Sequence, residues 1–586
     1  MKKMIFATFV CVVVADLAAG GSLKLSRPPK VRSISIALSP TSATLTAGAS
    51  MLFTAQVKGS SSAVSWQATC GTIDSRGRYT APATNARCDV RATVSTVTSS
   101  PAVVTVDAPV PPPSEPPPPG ETVIPVQPLP GIFEAALAQA VTAAQSGPVT
   151  MVLAPGDYRG NFVLPRTGSS YRITITADPS QLPPAGTRMT PAYEGYLPRL
   201  VPAYEFVTPL VVNGDNYTLR GLQVVTPGVG FTTVDVMADG TGAFPRNVTF
   251  DQMLIRGNET TGGHRGIAAN GINVTITNSW IDRMWEVGRD SQGVAAWDTP
   301  GPLTVINNYL EASGENFLLG GSPPSCACVP SDVVFSRNTV RKDPAWRSMS
   351  TQPQVKNLFE IKTGRRITAT GNTFRYNWMN AQTGWAILFT PQVDSGDAPV
   401  AEDIVFNGNI IRDVSSGLSA AAVAGPLRRI TVRDNVWMNL DLNTWDGDGR
   451  WALIQGGTYG ADDITLVNNT VIGLTGNQFL GLYSDVPMQR LTLTHNVVEQ
   501  REYGVHSIAG LAADALAAVA PGSVFVDNAV IGPDLNLKWP VGNFRIDFNV
   551  ADQFDSQYAI KPGSPLAGLL TSDGAAVGAD PSVLPH

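Results

Sequence analysis

The sequence predicts an all-β chain, a long parallel β-helix solenoid preceded by a small β-sandwich. Three observations carry the solenoid. An eight-residue phrase, apolar-x-apolar-x-x-Asn-x-apolar, is written eight times between Leu303 and Val530, with asparagines at Asn308, Asn338, Asn372, Asn409, Asn435, Asn469, Asn496 and Asn528. A second apolar string recurs between copies, as in FLLGG (317–321), LFEIKTG (358–364), WAILFTP (385–391) and FLGLYSD (479–485). No helical stretch separates the two, which sets the pattern apart from a leucine-rich repeat. Positions 1 and 3 of the phrase are apolar and 2 and 4 mostly polar, the period of a strand with one buried face. The Asn falls where a turn is needed. Asn tolerates left-handed backbone angles, and its amide both donates and accepts, so copies stacked coil upon coil can bond to one another. The repeat is therefore a solenoid with two or three strands per turn.

At the N-terminus, residues 1–21 (MKKMIFATFVCVVVADLAAGG) have the Lys pair, apolar stretch and small residues of a signal peptide, so a secreted or cell-surface location is expected. The apolar stretch is too short to span a bilayer, and no later segment does so. Residues 33–107 alternate apolar and polar in short runs with turns between, a β-sandwich pattern. Within it VSWQATCGTIDSRGRYTAPA resembles the bacterial immunoglobulin-like modules of surface and secreted proteins, which implies a spacing or attaching role. A Pro-rich stretch, 108–131, reads as a stiff spacer. The β-helix is expected over 132–586, with a first strand at VTMVLAP (149–155). Four cysteines remain beyond the leader, an even number that suits an oxidising compartment; Cys70–Cys88 and Cys326–Cys328 are the expected disulfides.

Only 15% of residues are charged and the formal net charge is −6, so there is no basic footprint for nucleic acid. No Ser-His-Asp order, phosphate loop or dinucleotide fingerprint is present. A monomeric protein is expected.

Residues 273–322 carry a W-I-D string (Trp280, Ile281, Asp282), an acidic cluster, a strand, N-N-Y and a closing L-L-G. This run resembles the pectate-lyase superfamily of right-handed parallel β-helix proteins. The resemblance implies an acidic polysaccharide in a groove along one sheet, calcium bridging carboxylates, and an Arg or Lys that takes the proton α to a uronate carboxyl group. The family's calcium-binding acids would fall at Ser291 to Ala296, where Gln292 and the preceding Asp290 are the polar residues. Asn316 replaces the lysine before L-L-G, and Arg347 is the nearest counterpart of the downstream arginine. A second resemblance, to bacterial secreted β-helix proteins sharing N-L-F-E-x-K and N-W…Q-x-G…A-I-L-F-T strings, covers Asn357 to Lys362 and Asn377 to Thr390.

The residues themselves point to the same coils. In LFEIKTG the alternation buries Phe359 and Ile361, so Glu360 and Lys362 project outward on one sheet face, ~7 Å apart. A lysine flanked by a carboxylate can act as general base if desolvation lowers its pKa; the alternative is an exposed ion pair. Catalytic candidates are therefore Lys362, Glu360, Lys356, Arg347, Glu315 and Asp290, and substrate-binding candidates are Trp378, Asn316 and Gln382. Most of the tryptophans in the middle coils are expected in the core or in loop packing. Asp446 and Asp448 are candidate calcium ligands, and a tight Gly turn accounts for them equally. Two functions stay open: an enzyme that binds and cleaves an acidic polysaccharide, lyase-type or hydrolytic, and a non-catalytic, adhesin-like glycan-binding solenoid.

Overall fold

The computed structural model describes residues 34–107 and 120–585, apart from 47–49, 61, 83–85, 205–206, 227, 229, 394–397, 548–549 and 557. The expected signal peptide and the prolines of 108–119 lie outside the described residues. The chain divides into two compact units, Met1–Ala108 and Pro109–His586.

In the first unit, strand Ala86–Val94 pairs antiparallel with Ala102–Asp107 on one side and Ser65–Ala68 on the other. Its alternating sequence sends Cys88, Val90, Ala92 and Val94 inward, each 0% exposed. Cys88, Val90 and Ala92 meet Phe53, Tyr79 and Val104 in a core of their own. Cys70 and Cys88 are joined by a disulfide with Cα atoms 5.3 Å apart.

The second unit is a right-handed parallel β-helix with three strands per coil. One coil reads Leu303–Ile306, Tyr309–Ala312, Phe317–Leu319. Among the described residues the first and second sheets each have 14 strands and the third has 13. All neighbours pair parallel except the last two strands of the third sheet, Gly504–Ser507 and Gly510–Leu511, which are antiparallel. Each phrase thus spans a corner, its first half in the first sheet and its last residues in the second.

The asparagines form the expected ladder. The backbone N–H and the Nδ2 of Asn338 both donate to Oδ1 of Asn372, at 2.9 and 3.0 Å, and Nδ2 also donates to the Val305 carbonyl. The same bonds link Asn308 through Asn528, and Asn543 adds a rung that the phrase does not mark. The turn conformation departs from expectation. The left-handed residue is the one before the ladder asparagine, as at Asn307 (φ 58), Arg337 (φ 53), Gly371 (φ 65), Asp434 (φ 54) and His495 (φ 59). That position turns the corner and is variable; the asparagine follows it because its amide, not its backbone, is what the corner requires.

Two further corrections concern the entrance to the solenoid. Strand Thr122–Val126 pairs with Val149–Leu153, so the β-helix begins inside the stretch 108–131 read as spacer. Pro125 is tolerated there because the strand ends its sheet and one edge needs no partner. Helix Ile132–Ala143, unforeseen in the sequence, then covers the first coil with Phe133, Ala136, Leu137 and Ala140. Phe133 meets Tyr158 and Phe162 edge-on, closing an apolar end that a bare sheet stack would expose.

Inside the middle coils an aromatic spine runs Phe317, Phe335, Phe359, Phe374, Phe406, Trp437, Trp451, Phe479, with ring centroids 4.8 to 6.4 Å apart. The rings hold their coils in fixed register, and outward side chains on the same strands are placed accordingly.

Candidate functional site

The outward face of the third sheet is where the coils stop resembling one another. Along one row of that face the paired positions are Asp235, Ala268, Ala295, Leu318, Glu360, Leu388 and Ser419. As expected from its strand, Glu360 points away from Phe359 and Ile361. The expectation that it is exposed is corrected: it is 2% accessible. Asn357 Nδ2 donates to its Oε2 at 2.6 Å and the Thr390 hydroxyl to its Oε1 at 3.3 Å. Burial pushes the carboxyl up to about 7, with Lys362 pulling the other way and Glu315 reinforcing burial. Lys362 is half-buried, and its stem lies against Gly321, where a Cβ would come within 2.9 Å of Lys362 Cδ.

Beside this row, at the corner that opens each third-sheet strand, stands a column of charged and amide side chains. Arg265 donates to Thr232 Oγ1 at 3.1 Å and to Gln292 Oε1 at 2.9 Å. Gln292 Nε2 donates to Glu315 Oε2 at 2.9 Å, and Lys356 Nζ lies 3.3 Å from Glu315 Oε1 while also donating to Asp290. Glu315 is fully buried. Burial raises its pKa, but Lys356, Gln292 and Lys362 outweigh it and keep it an anion. Burial works against the Lys356 ammonium, and Glu315 and Asp290 raise its pKa above the ordinary value. Asp235 is pushed up to about 6 by burial, with Arg265 opposing. The Arg265 guanidinium lies 5.0 Å over the Trp297 ring, above the small Ala268 and Ala295. The corner at Ser313–Asn316 is short because Gly314 permits close stacking: a Cβ there would sit 2.5 Å from the Ser291 carbonyl.

The structure thus brings Asp290, Glu315 and Lys356 into direct contact and gathers Glu360 and Lys362 into the same electrostatic cluster. Arg347 is not in that network. It pairs with Asp446 at 3.2 Å and stacks between Trp378 and Trp445, at 5.8 and 5.3 Å. Trp378 is buried with Trp285, Trp346 and Val355, so its place is loop packing and not a sugar-facing platform. Asn316 is also buried, its Nδ2 donating to the Leu310 and Arg341 carbonyls. Gln382 lies half-buried in the loop ahead of Trp385, and its carbonyl accepts from Asn380. Asp446 (φ 60), Gly447 (φ 81) and Gly449 (φ 63) form the tight turn, with Asp448 facing Arg450 at 3.5 Å. Cys326 and Cys328 are disulfide-bonded.

The donor set does not suit calcium. Each carboxylate of the cluster already accepts from Lys, Gln, Asn or Thr, and among the described residues no group of three or more His, Cys, Asp or Glu gathers to hold a metal. The residues that sequence reasoning missed are Arg265 and Asp235. No sequence signal marks them, because only strand register shows that Thr232, Arg265 and Gln292 stand side by side.

No protein-family model matches the chain, and no curated protein matches it. Several solved structures are similar to it, among them these three. One is a mannuronic acid specific polysaccharide family 6 lyase from human gut microbiota: TM-score 0.46, 12% identity, 73% of this chain and 91% of that one. The Dettilon tailspike protein gp208 has TM-score 0.32 and 12% identity over 68% and 66%. A Yersinia enterocolitica family 28 exopolygalacturonase has 0.26 and 11% over 70% and 85%. Likenesses this weak add nothing about chemistry to what the strand pairings already define.

Proposed function

We propose that this is a secreted or cell-surface protein whose third-sheet face binds an acidic extracellular polysaccharide and cleaves it by elimination. The observation that carries the reading is the juxtaposition of a half-exposed Lys362 with the buried, raised-pKa Glu360, in a row whose immediate neighbours, Leu318 and Leu388, are aliphatic. Arg265 and Lys356 supply positive charge for a uronate carboxylate, the work that calcium does in the family the sequence resembles. Lys362 takes the proton α to that carboxylate. The electron pair forms the new C=C bond, the glycosidic C–O bond breaks, and the leaving oxygen takes a proton from water, whose hydroxide then recovers the proton held by Lys362. Glu360, too buried to meet substrate, balances charge next to Lys362. Trp297 offers an apolar surface at the edge of the same face. In this reading residues 33–107 are an immunoglobulin-like spacer, and the chain acts as a monomer.

The competing reading is a glycan-binding solenoid without chemistry, favoured by one observation: Lys356 is already paired with two carboxylates. A panel of uronate and neutral glycans decides between them, read at 235 nm for unsaturated products and by reducing ends for hydrolysis. Elimination predicts absorbance lost in Lys362→Ala. Retention of an acidic glycan without product supports the binder, and new reducing ends without absorbance would replace elimination with hydrolysis.

A further inference from the structure

Lys342 follows strand Thr339–Arg341 and is wholly buried. Its ammonium faces five oxygens: the carbonyls of Ala312 (3.1 Å), Ser313 (3.0 Å), Gly314 (2.6 Å) and Asn357 (3.0 Å), and Oδ1 of Asn316 (3.0 Å). No carboxylate is among them. We infer that the Ser313–Asn316 corner and Asn357 form a monovalent-cation cage, which the chain fills with its own Lys342 ammonium.

The argument is one of donors and acceptors. Carbonyl and amide oxygens only accept here, and a neutral amine would turn a lone pair toward one of them; five acceptors are satisfied only by an NH3+ with shared hydrogens. Four of the five distances, at 3.0–3.1 Å, match N–H···O bonds and are longer than the about 2.3–2.6 Å of calcium–oxygen contacts; the Gly314 contact is shorter, at 2.6 Å. Burial pushes the Lys342 ammonium well below the usual lysine range, with Glu315 opposing and Lys356 adding to it, so it is the five oxygen acceptors that hold the third proton in place. The cage is built because the corner is short. Close stacking at Gly314 turns three successive carbonyls toward one point, and without a cation they would be buried facing each other.

The cage has a positioning consequence for the face described above. Asn357 gives its carbonyl to Lys342 and its Nδ2 to Glu360. Asn316 and Glu315 are neighbours on the corner that Lys342 clasps. The charge at Lys342 therefore sets where Glu315 and Glu360 stand, although the cage itself does not depend on that face acting on glycan.

The test needs no activity assay. Unfolding midpoints of the full chain are measured in choline, potassium, ammonium and methylammonium chloride at equal ionic strength. Lys342→Ala is expected to be destabilised and to regain several degrees in potassium or methylammonium relative to choline, with wild type unmoved. Lys342→Met, whose side chain fills the space without charge, is expected not to respond. Equal responses in wild type and both variants, or a Met variant as stable as wild type, overturn the cage. If Lys342→Ala does not fold, 15N-lysine spectra of wild type decide: a slowly exchanging ζ-NH3+ signal persisting at pH 8 supports it, and its absence overturns it.

Discussion

Two columns of stacked polar side chains run along this solenoid, and they are built on opposite rules. The ladder at the corner of the first and second sheets repeats one residue from Asn308 to Asn543, each amide giving two hydrogens and, from Asn338 onward, taking two. The column at the opening of the third sheet changes residue at every coil: Thr232, Arg265, Gln292, Glu315, Lys356. The first is neutral, self-complementary and indifferent to length. The second alternates donor and acceptor through unlike groups, carries buried charge, and ends after a few coils. A uniform ladder serves the fold, because any coil can be exchanged for the next. A heterogeneous one gains nothing in stability over amides, since burying charge costs more than burying amides, and that cost is the ground on which the proposal places function there.

The comparison is broken most directly at Lys356. Lys356→Met leaves Glu315 buried without its contacting cation, and a loss of about 3 kcal/mol is expected in urea unfolding. Adding Glu315→Gln should return part of it, since the stranded charge is gone. A single variant as stable as wild type would show that the column is not held by charge.

The second effect depends on pH. Because burial raises Glu360 to about 7, from 4.5, the folded state holds its proton more tightly than the unfolded chain. The stability this confers is complete below about pH 4.5 and is lost as pH rises through 7. Wild type should therefore fall on the order of 2–3 kcal/mol relative to Glu360→Gln between pH 4 and pH 8. Parallel stability–pH curves would remove the buried carboxyl from the account.

The ladder should respond more modestly and without pH dependence. Asn372→Ala takes the Oδ1 acceptor from the Asn338 N–H and Nδ2 and the Nδ2 donor from the Phe335 carbonyl, while Asn409 Oδ1 keeps the backbone N–H of residue 372, for a cost of about 1–3 kcal/mol. An unchanged denaturation midpoint would contradict the stacked-amide arrangement.

The smallest structural effect is expected at Lys362. Its side chain is half-exposed, so Lys362→Ala should shift stability by less than about 1 kcal/mol. The same variant should abolish turnover or weaken retention of an acidic glycan. Unaltered function would move the site off this face.

The sequence by itself determined the fold. A strand period of two, an asparagine at a fixed offset and an apolar string between copies leave few architectures able to bury every coil, and the three-sheet β-helix is one. It also determined the direction in which Glu360 points, because alternation along Phe359–Glu360–Ile361 is a property of the strand. It misplaced the left-handed residue, because Asn suits both the turn and the ladder, and φ values alone separate the roles. Only the tertiary structure decided that Glu360 is buried, that Arg347 and Trp378 belong to loop packing, and that Lys342 has no carboxylate partner. The reason is distance along the chain: Thr232 and Lys356 belong to one column, yet the coils between them differ in length, so no fixed spacing relates their members. Inter-strand register aligns them, and register is set by the whole stack of inward side chains, which no short stretch of sequence contains.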